Sequence, residues 1–93
     1  MLNVKEIQDY TKSTIRSFEY YIHNISTCPC SKEHYDEIAE DMFDEVFTTQ
    51  QDILEFRMHN SVPKPVEDCF KSIEKAMNRA ISFFRDYKII KFL

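Results

Sequence analysis

The chain has 93 residues, no glycine and three prolines, and it carries a formal net charge of −4 at pH 7. Its length supports one domain, and a content of 43% hydrophobic and 14% aromatic residues excludes a chain that is disordered by composition. The negative net charge argues against general binding to nucleic-acid phosphates, which requires a surplus of lysine and arginine. No uncharged apolar run is long enough to span a membrane, and the first residues lack the pattern of a signal peptide, so a cytoplasmic location is expected.

Three prolines divide the sequence into three segments of helical pattern. Pro29 lies in the first break, and Pro63 and Pro65 lie in the second. The segments predict helices at about 3–26, 31–60 and 65–90. Because short connections join antiparallel neighbours, we expect an all-α fold, an antiparallel up-down-up three-helix bundle in which residues 1–93 form a single domain.

Helix 1 has a strong start signal. Asn3 can cap the helix, and Glu6 can complete a capping box three residues later. Leu2 can pack on Ile7 as a hydrophobic staple. Apolar residues and one threonine then recur at spacings of three and four, which predicts a buried stripe along one face. The predicted stripe consists of Val4, Ile7, Thr11, Ile15, Phe18, Ile22 and Ile25.

Helices 2 and 3 carry similar stripes. Ser31 is a suitable cap for helix 2, and Pro65 suits the first turn of helix 3. We expect residues 88–93 to form either a fraying last turn or a short extended tail. The two predicted stripes consist of Tyr35, Ile38, Met42, Val46, Ile53 and Phe56 in helix 2, and of Val66, Cys69, Phe70, Ile73, Met77, Ala80, Phe84 and Tyr87 in helix 3.

Charged residues are unevenly shared among the helices. Helix 2 contains nine acidic residues against Lys32 and Arg57. Folding helix 3 back onto helix 2 would bring Arg85 and Lys88 toward the acidic start of helix 2. We therefore expect charge complementarity between these two helices, with a small contribution from each exposed pair.

Helix 2 also carries a second apolar stripe, which consists of Phe43, Phe47, Leu54 and Met58. At about 100° per residue, this second stripe projects roughly 120° round from the first, so a helix with two neighbours would leave much of it in water. One interpretation is that a neighbouring helix or the tail residues Phe92 and Leu93 cover it. The other is a surface for self-association or for a protein partner, and a homodimer that pairs helix 2 with its copy is the simplest closed arrangement.

The first break brings two histidines and two cysteines close together in the sequence, namely His23, Cys28, Cys30 and His34. Imidazole and thiolate are ligands that zinc prefers, so this end of the bundle is a candidate for a tetrahedral Cys2His2 zinc site. The alternative is a loop with two thiols between two surface histidines, since a CxC pair is less usual than CxxC for one zinc ion. Cys69 belongs to the other end of the bundle, and its place on the helix 3 stripe predicts a small buried side chain.

Glu37, Glu40 and Asp44 resemble the carboxylate helix of all-α nucleotide pyrophosphohydrolases, which bind magnesium through such groups. The resemblance implies a hydrolase in which these side chains hold the cation. Those enzymes use a second acidic pair on a following helix, whereas helix 3 has only the isolated Glu74 and Asp86. A solvated acidic face is therefore the interpretation that fits the sequence better.

The sequence favours a small non-enzymatic protein that acts by protein–protein interaction through the second stripe of helix 2. Its action would be of a regulatory, adaptor or inhibitor type, on a protein partner or on a second copy. Neither nucleic acid nor a membrane is an expected partner, and no cofactor is expected apart from zinc at the candidate Cys2His2 site. The alternatives are a metal-stabilised or redox-responsive bundle that uses the four residues around the first break, and the carboxylate-metal hydrolase.

Overall fold

Three α-helices make up the computed structural model, which describes residues 3–27 and 31–92. They are α1 (Val4–Thr27), α2 (Lys32–His59) and α3 (Lys64–Phe92), and the described residues contain no strand. Each helix begins and ends within two residues of its predicted bounds. The molecule measures 44 × 21 × 16 Å along its principal axes. Helices of this length fit only along the longest axis.

Side-chain caps fix the starts of α1 and α2, as predicted. The Glu6 amide donates to Asn3 Oδ1 at 2.8 Å, and Asn3 Nδ2 donates to Glu6 Oε1 at 3.5 Å. At the start of α2 the His34 amide donates to Ser31 Oγ at 3.1 Å. These bonds satisfy amide groups that have no partner within the first turn. The predicted staple residue Leu2 lies outside the described residues.

A backbone carbonyl caps α3. The amides of Val66 and Glu67 both donate to the Pro63 carbonyl, each at 3.0 Å. Pro65 lies in the first turn, as predicted, where its missing amide hydrogen leaves no carbonyl unpaired.

Polar side chains close the carboxyl ends of α1 and α2, where many proteins use glycine. Ser26 Oγ and Thr27 Oγ1 donate to the His23 carbonyl at 3.1 and 2.8 Å. Asn60 Nδ2 donates to the Phe56 carbonyl at 3.2 Å, and the Asn60 backbone is extended. These side chains donate hydrogen bonds to carbonyls near the ends of the two helices, where backbone donors from the helix itself run out. No described residue has a positive φ, in agreement with the absence of glycine.

One cluster of buried side chains fills the space between the helices, and all of its apolar members lie on the predicted stripes. Val4 differs from the prediction, because it is the first residue of α1 and is 41% exposed. Cys69 is half-buried and packs against the cluster. The apolar members are Ile7, Phe18, Ile25, Tyr35, Met42, Val46, Ile53, Val66, Phe70, Ile73, Met77, Ala80 and Phe84.

Three threonines are also buried, of which only Thr11 lies on a predicted stripe. Thr11 Oγ1 donates to the Ile7 carbonyl at 2.7 Å, so its hydroxyl is paired within its own helix. The Thr14 and Thr49 side chains lower the pKa of the Tyr10 phenol by hydrogen bonding, against the larger effect of burial. Among the described residues, no buried side-chain nitrogen or oxygen lacks a partner.

The packing of the three helices is unequal, because α1 packs mostly against α3. The groove between these two helices has small side chains in its walls, including Thr11, Cys69 and Ser72. Small side chains allow two helix backbones to approach closely, whereas the core face of α2 presents Tyr35 and Met42. Hence α2 stands further from both neighbours than they stand from each other.

Aromatic contacts join the start of α2 to the end of α3. Tyr35 donates its phenolic hydrogen to the Phe84 carbonyl at 2.7 Å. Its ring lies 5.7 Å from that of Tyr87 and 5.5 Å from that of Phe92, centroid to centroid. These contacts hold the last turn of α3, so the prediction of an extended tail is wrong as far as Phe92.

A cluster of charges joins the end of α2 to the start of α3. Arg57 donates to both carboxylate oxygens of Glu67, at 2.8 and 3.1 Å, and lies 3.6 Å from a carboxylate oxygen of Glu74. The guanidinium carbon also lies 5.2 Å from the ring centroid of Phe70. A two-pronged ion pair and a cation–π contact therefore act on one side chain.

The expected charge pairing at the opposite end of these helices does not form. Arg85 pairs with its neighbour Asp86 at 3.5 Å, and no ion pair joins Lys88 to the acidic start of α2 within the described residues. The physical reason lies in the direction of the α2 carboxylates, since Asp41 and Glu45 act on Tyr21 of α1 instead.

Candidate functional site

The second stripe of α2 is exposed along its whole length. Phe43 is 46% exposed, Phe47 63%, Leu54 52% and Met58 70%. The other large exposed apolar side chains of the described residues are Val4 and Tyr20 on α1, and the adjacent Ile89 and Ile90 near the end of α3. The second stripe is therefore the place where such side chains recur along one face of one helix.

The geometry of α2 explains this exposure. Its core face, which includes Met42, Val46 and Ile53, points between α1 and α3. The second stripe projects roughly 120° away from that face, beyond the reach of two neighbouring helices. Phe92 does not cover it, because its ring packs on Tyr35 and Tyr87. The predicted covering residue Leu93 lies outside the described residues.

The two flanks of the second stripe differ in chemistry. On one flank a groove of about 370 Å³ separates α2 from α3, and its walls include Leu54, Arg57 and Asn78. On the other flank lie exposed carboxylates, among them Asp44 and Glu55. An apolar stripe between a groove and an acidic rim has the composition of a docking surface, with an apolar centre and a polar edge.

Two half-buried tyrosines of α1 interact with carboxylates of α2. Burial, together with the hydrogen bond and charge of Glu45, raises the pKa of Tyr21 to about 12. The pKa of Tyr10 is also raised, first by burial and then by Asp52, whose carboxylate accepts the phenolic hydrogen at 3.1 Å. Part of the acidic residue content of α2 thus serves contact between helices. Sequence periodicity did not reveal these pairs, because it reports faces and not partners.

The described residues contain no group of three or more histidine, cysteine, aspartate or glutamate side chains arranged to hold a metal ion. Glu37, Glu40 and Asp44, the carboxylates of the pyrophosphohydrolase resemblance, are among the described residues, and the structure does not bring them together as a cation site.

The predicted zinc site lies only partly within the described residues. His23 and His34 are exposed near the two helix ends that the first break connects. Cys28 and Cys30 lie outside the described residues, and the Cys2His2 site stays a prediction.

The structure also contains a cleft that the sequence did not indicate. It has a volume of about 360 Å³ and lies where the start of α1 meets the end of α2. Tyr10, Asp52, Phe56 and His59 line it together with core residues. The cleft forms because residues far apart in sequence converge there, for which no local pattern gives a signal.

No helix among the described residues is both long and apolar enough to cross a membrane. Comparisons of the chain with protein-family models, with curated proteins and with solved structures found no significant match.

Proposed function

We propose that this is a non-enzymatic interaction protein of a regulatory, adaptor or inhibitor type, which acts through the second stripe of α2 and pairs there with a second copy of itself. The observation that carries the proposal is the exposure of four large apolar side chains along one helix face. Contiguous apolar surface of this kind is uncommon on monomeric proteins and usually marks an interaction site. Because the stripe lies away from the core, pairing requires no rearrangement of the three helices.

The area of the second stripe fits a modest interface. Taking about 200 Å² for a fully exposed large apolar side chain, the four exposed fractions correspond to about 460 Å² per chain. Pairing two copies would remove about 900 Å² from these side chains alone. Neighbouring residues on the two flanks would carry the total past the roughly 1,000 Å² that a specific interface should exceed.

The proposal includes the up-down-up course of the helices, since it determines which face of α2 stays free. Three contacts support this course: Tyr10 of early α1 with Asp52 of late α2, Tyr35 of early α2 with the Phe84 carbonyl of late α3, and Arg57 with Glu67 across the second break. A cytoplasmic location also stays part of the proposal.

Substitution of Phe47 by aspartate tests self-association. Phe47→Asp places a charge in the middle of the second stripe, so we expect the molar mass measured by light scattering to fall from that of a dimer to that of a monomer. Helicity measured by circular dichroism should not change, because Phe47 lies outside the core.

Tyr20→Asp is a matched control. Tyr20 on α1 has the same exposed fraction as Phe47, 63%, so the two substitutions remove equally exposed aromatic rings and add the same charge. Tyr20→Asp should keep the molar mass of a dimer. A wild-type protein that is monomeric at every concentration would overturn the proposal.

A further inference from the structure

The spacing of the second stripe is symmetric about its own centre. Phe43 and Met58 lie equally far from the point midway between Gln50 and Gln51, and so do Phe47 and Leu54, in the order 43, 47, 54 and 58. An interface with two-fold symmetry uses the same patch on both subunits, so the patch must complement itself. We infer that the second copy docks antiparallel along α2, with the two-fold axis midway between Gln50 and Gln51. This inference rests on the proposed self-association.

The antiparallel register gives each aromatic ring an aliphatic partner. Phe43 of one chain lies opposite Met58 of the second copy, and Phe47 lies opposite Leu54. Large and smaller side chains then alternate across the interface, so the two helices keep a uniform separation. A parallel pairing would place both pairs of rings at one end of the stripe. Contact between a thioether and an aromatic ring is itself favourable.

The centre of the interface is polar but uncharged. Gln50 and Gln51 are exposed and lie on opposite sides of the stripe axis, about 50° from it on a helical projection. Each would approach its own copy across the two-fold axis. An amide side chain both donates and accepts hydrogen bonds, so it can pair with an identical group, as a carboxylate cannot.

The acidic flank opposes the pairing. In an antiparallel two-fold arrangement the same side of each helix faces its copy, so Asp44 of one chain comes close to Glu55 of the other, and the contact occurs twice. Both side chains are exposed, so salt screens their repulsion. The dimer is therefore regulated by charge, and it tightens when these carboxylates are screened or replaced.

Disulfide crosslinking tests the register. In a chain with Cys28→Ser, Cys30→Ser and Cys69→Ala, we would mix a tagged Phe47→Cys variant with an untagged Leu54→Cys variant and oxidise the mixture. The antiparallel register places these two positions opposite each other, whereas two copies of position 47 lie about 10 Å apart along the axis, beyond disulfide reach. A crosslink between tagged and untagged chains is expected.

Each crosslinking outcome decides the question. Predominant crosslinking between two Phe47→Cys chains would overturn the antiparallel register and leave the proposed self-association standing. A chain that is monomeric by light scattering, with no crosslink, would overturn both. Circular dichroism of the crosslinked product should show the same helicity as the uncrosslinked protein, which checks that oxidation has not unfolded the chain.

Charge reversal tests the acidic flank. Asp44→Lys converts two repulsive contacts into attractive ones, and we expect the dimer dissociation constant to fall about fivefold at about 0.02 M salt. Glu19→Lys makes the same change of net charge on exposed α1 and is the matched control. A fall of equal size in both variants would show that net charge and not the flank is responsible, which overturns this part of the inference.

Discussion

The carboxylate side chains of α2 lie in two different environments. Carboxylates of α2 that point toward α1 interact with tyrosines and raise their pKa. Asp52 acts in this way on Tyr10, and Glu45 acts on Tyr21. Carboxylates beside the second stripe stay exposed, as Asp44 and Glu55 are. The nine acidic residues of helix 2 therefore do not form one solvated face, because some of them interact with α1.

Tyr21 makes stability sensitive to alkaline pH. Its pKa is about 12 in the folded chain against 10.0 for an unperturbed tyrosine, so the folded state holds the proton more tightly. The stabilisation is complete below pH 10 and is lost as the pH rises toward about 12, since the unfolded chain ionises first. Urea unfolding should show a decline in the free energy of unfolding over this interval that is smaller in Tyr21→Phe.

The exposed neighbour Tyr20 provides the comparison for this measurement. Tyr20→Phe removes a phenol of the same kind from α1 without touching the contact to α2, so the alkaline decline should match that of the wild type. A decline that is equal in the wild type and in Tyr21→Phe would show that other groups cause it.

At the scale of the element, local sequence signals predicted the three helices but not how closely each pair of helices packs. The caps at Asn3 and Ser31 and the apolar periodicity are local, so the three helices and all buried apolar members of the core cluster follow from the sequence. The close packing of α1 on α3 does not, because it depends on side-chain size at positions such as Thr11 and Ser72, compared across helices. The burial of Thr14 was not predicted because the stripe placed its apolar neighbour Ile15 in that turn, whereas the structure buries Thr14 and leaves Ile15 half-buried.

The candidate site divides in the same way. The second stripe is a periodic feature of one helix, and its position outside the core face was predictable from residue spacing. Two other features depend on tertiary geometry. One is the cleft lined by Tyr10 and His59. The other is the ion pair between α2 and α3, which uses Arg57 and not Arg85. Charge complementarity read from sequence gave the wrong end of the helices, because it ignored which way the carboxylates point.

The Arg57–Glu67 contact should make the junction of α2 and α3 sensitive to acid. Arg57 lowers the pKa of the Glu67 carboxyl through a hydrogen bond and its charge. The stabilisation is present above the usual carboxyl pKa and is lost as the pH falls through the lowered folded value. Glu67→Gln should therefore lower the melting temperature at pH 7 and have little effect at a pH where the carboxyl is already protonated.

Asp68→Asn serves as the control for that substitution. Asp68 lies next in the chain, also in the first turns of α3, so both changes remove a favourable interaction with the helix dipole. Only Glu67 accepts from Arg57. If the two variants melt alike at pH 7, the ion pair contributes nothing beyond the dipole effect.

The described residues form a narrow bundle with one core cluster and an exposed apolar face on α2. A chain of 93 residues exposes much of its surface for its volume, so its margin of stability is small. Burial of the second stripe in a dimer would add apolar contact without enlarging the fold. Assembly and stability are then coupled, although the core of each chain is complete by itself.

This coupling predicts that the melting temperature depends on protein concentration. If the folded state is a dimer and the unfolded state is not, mass action raises the melting temperature by about 2–4 °C for each tenfold increase in concentration. Phe47→Asp, which places a charge in the interface, should melt cooperatively at a temperature that does not change with concentration. Differential scanning calorimetry over two decades of concentration checks both. A wild-type melting temperature that stays constant over that range would show that dimer formation through the second stripe does not stabilise the folded chain. That result would contradict the coupling of assembly and stability.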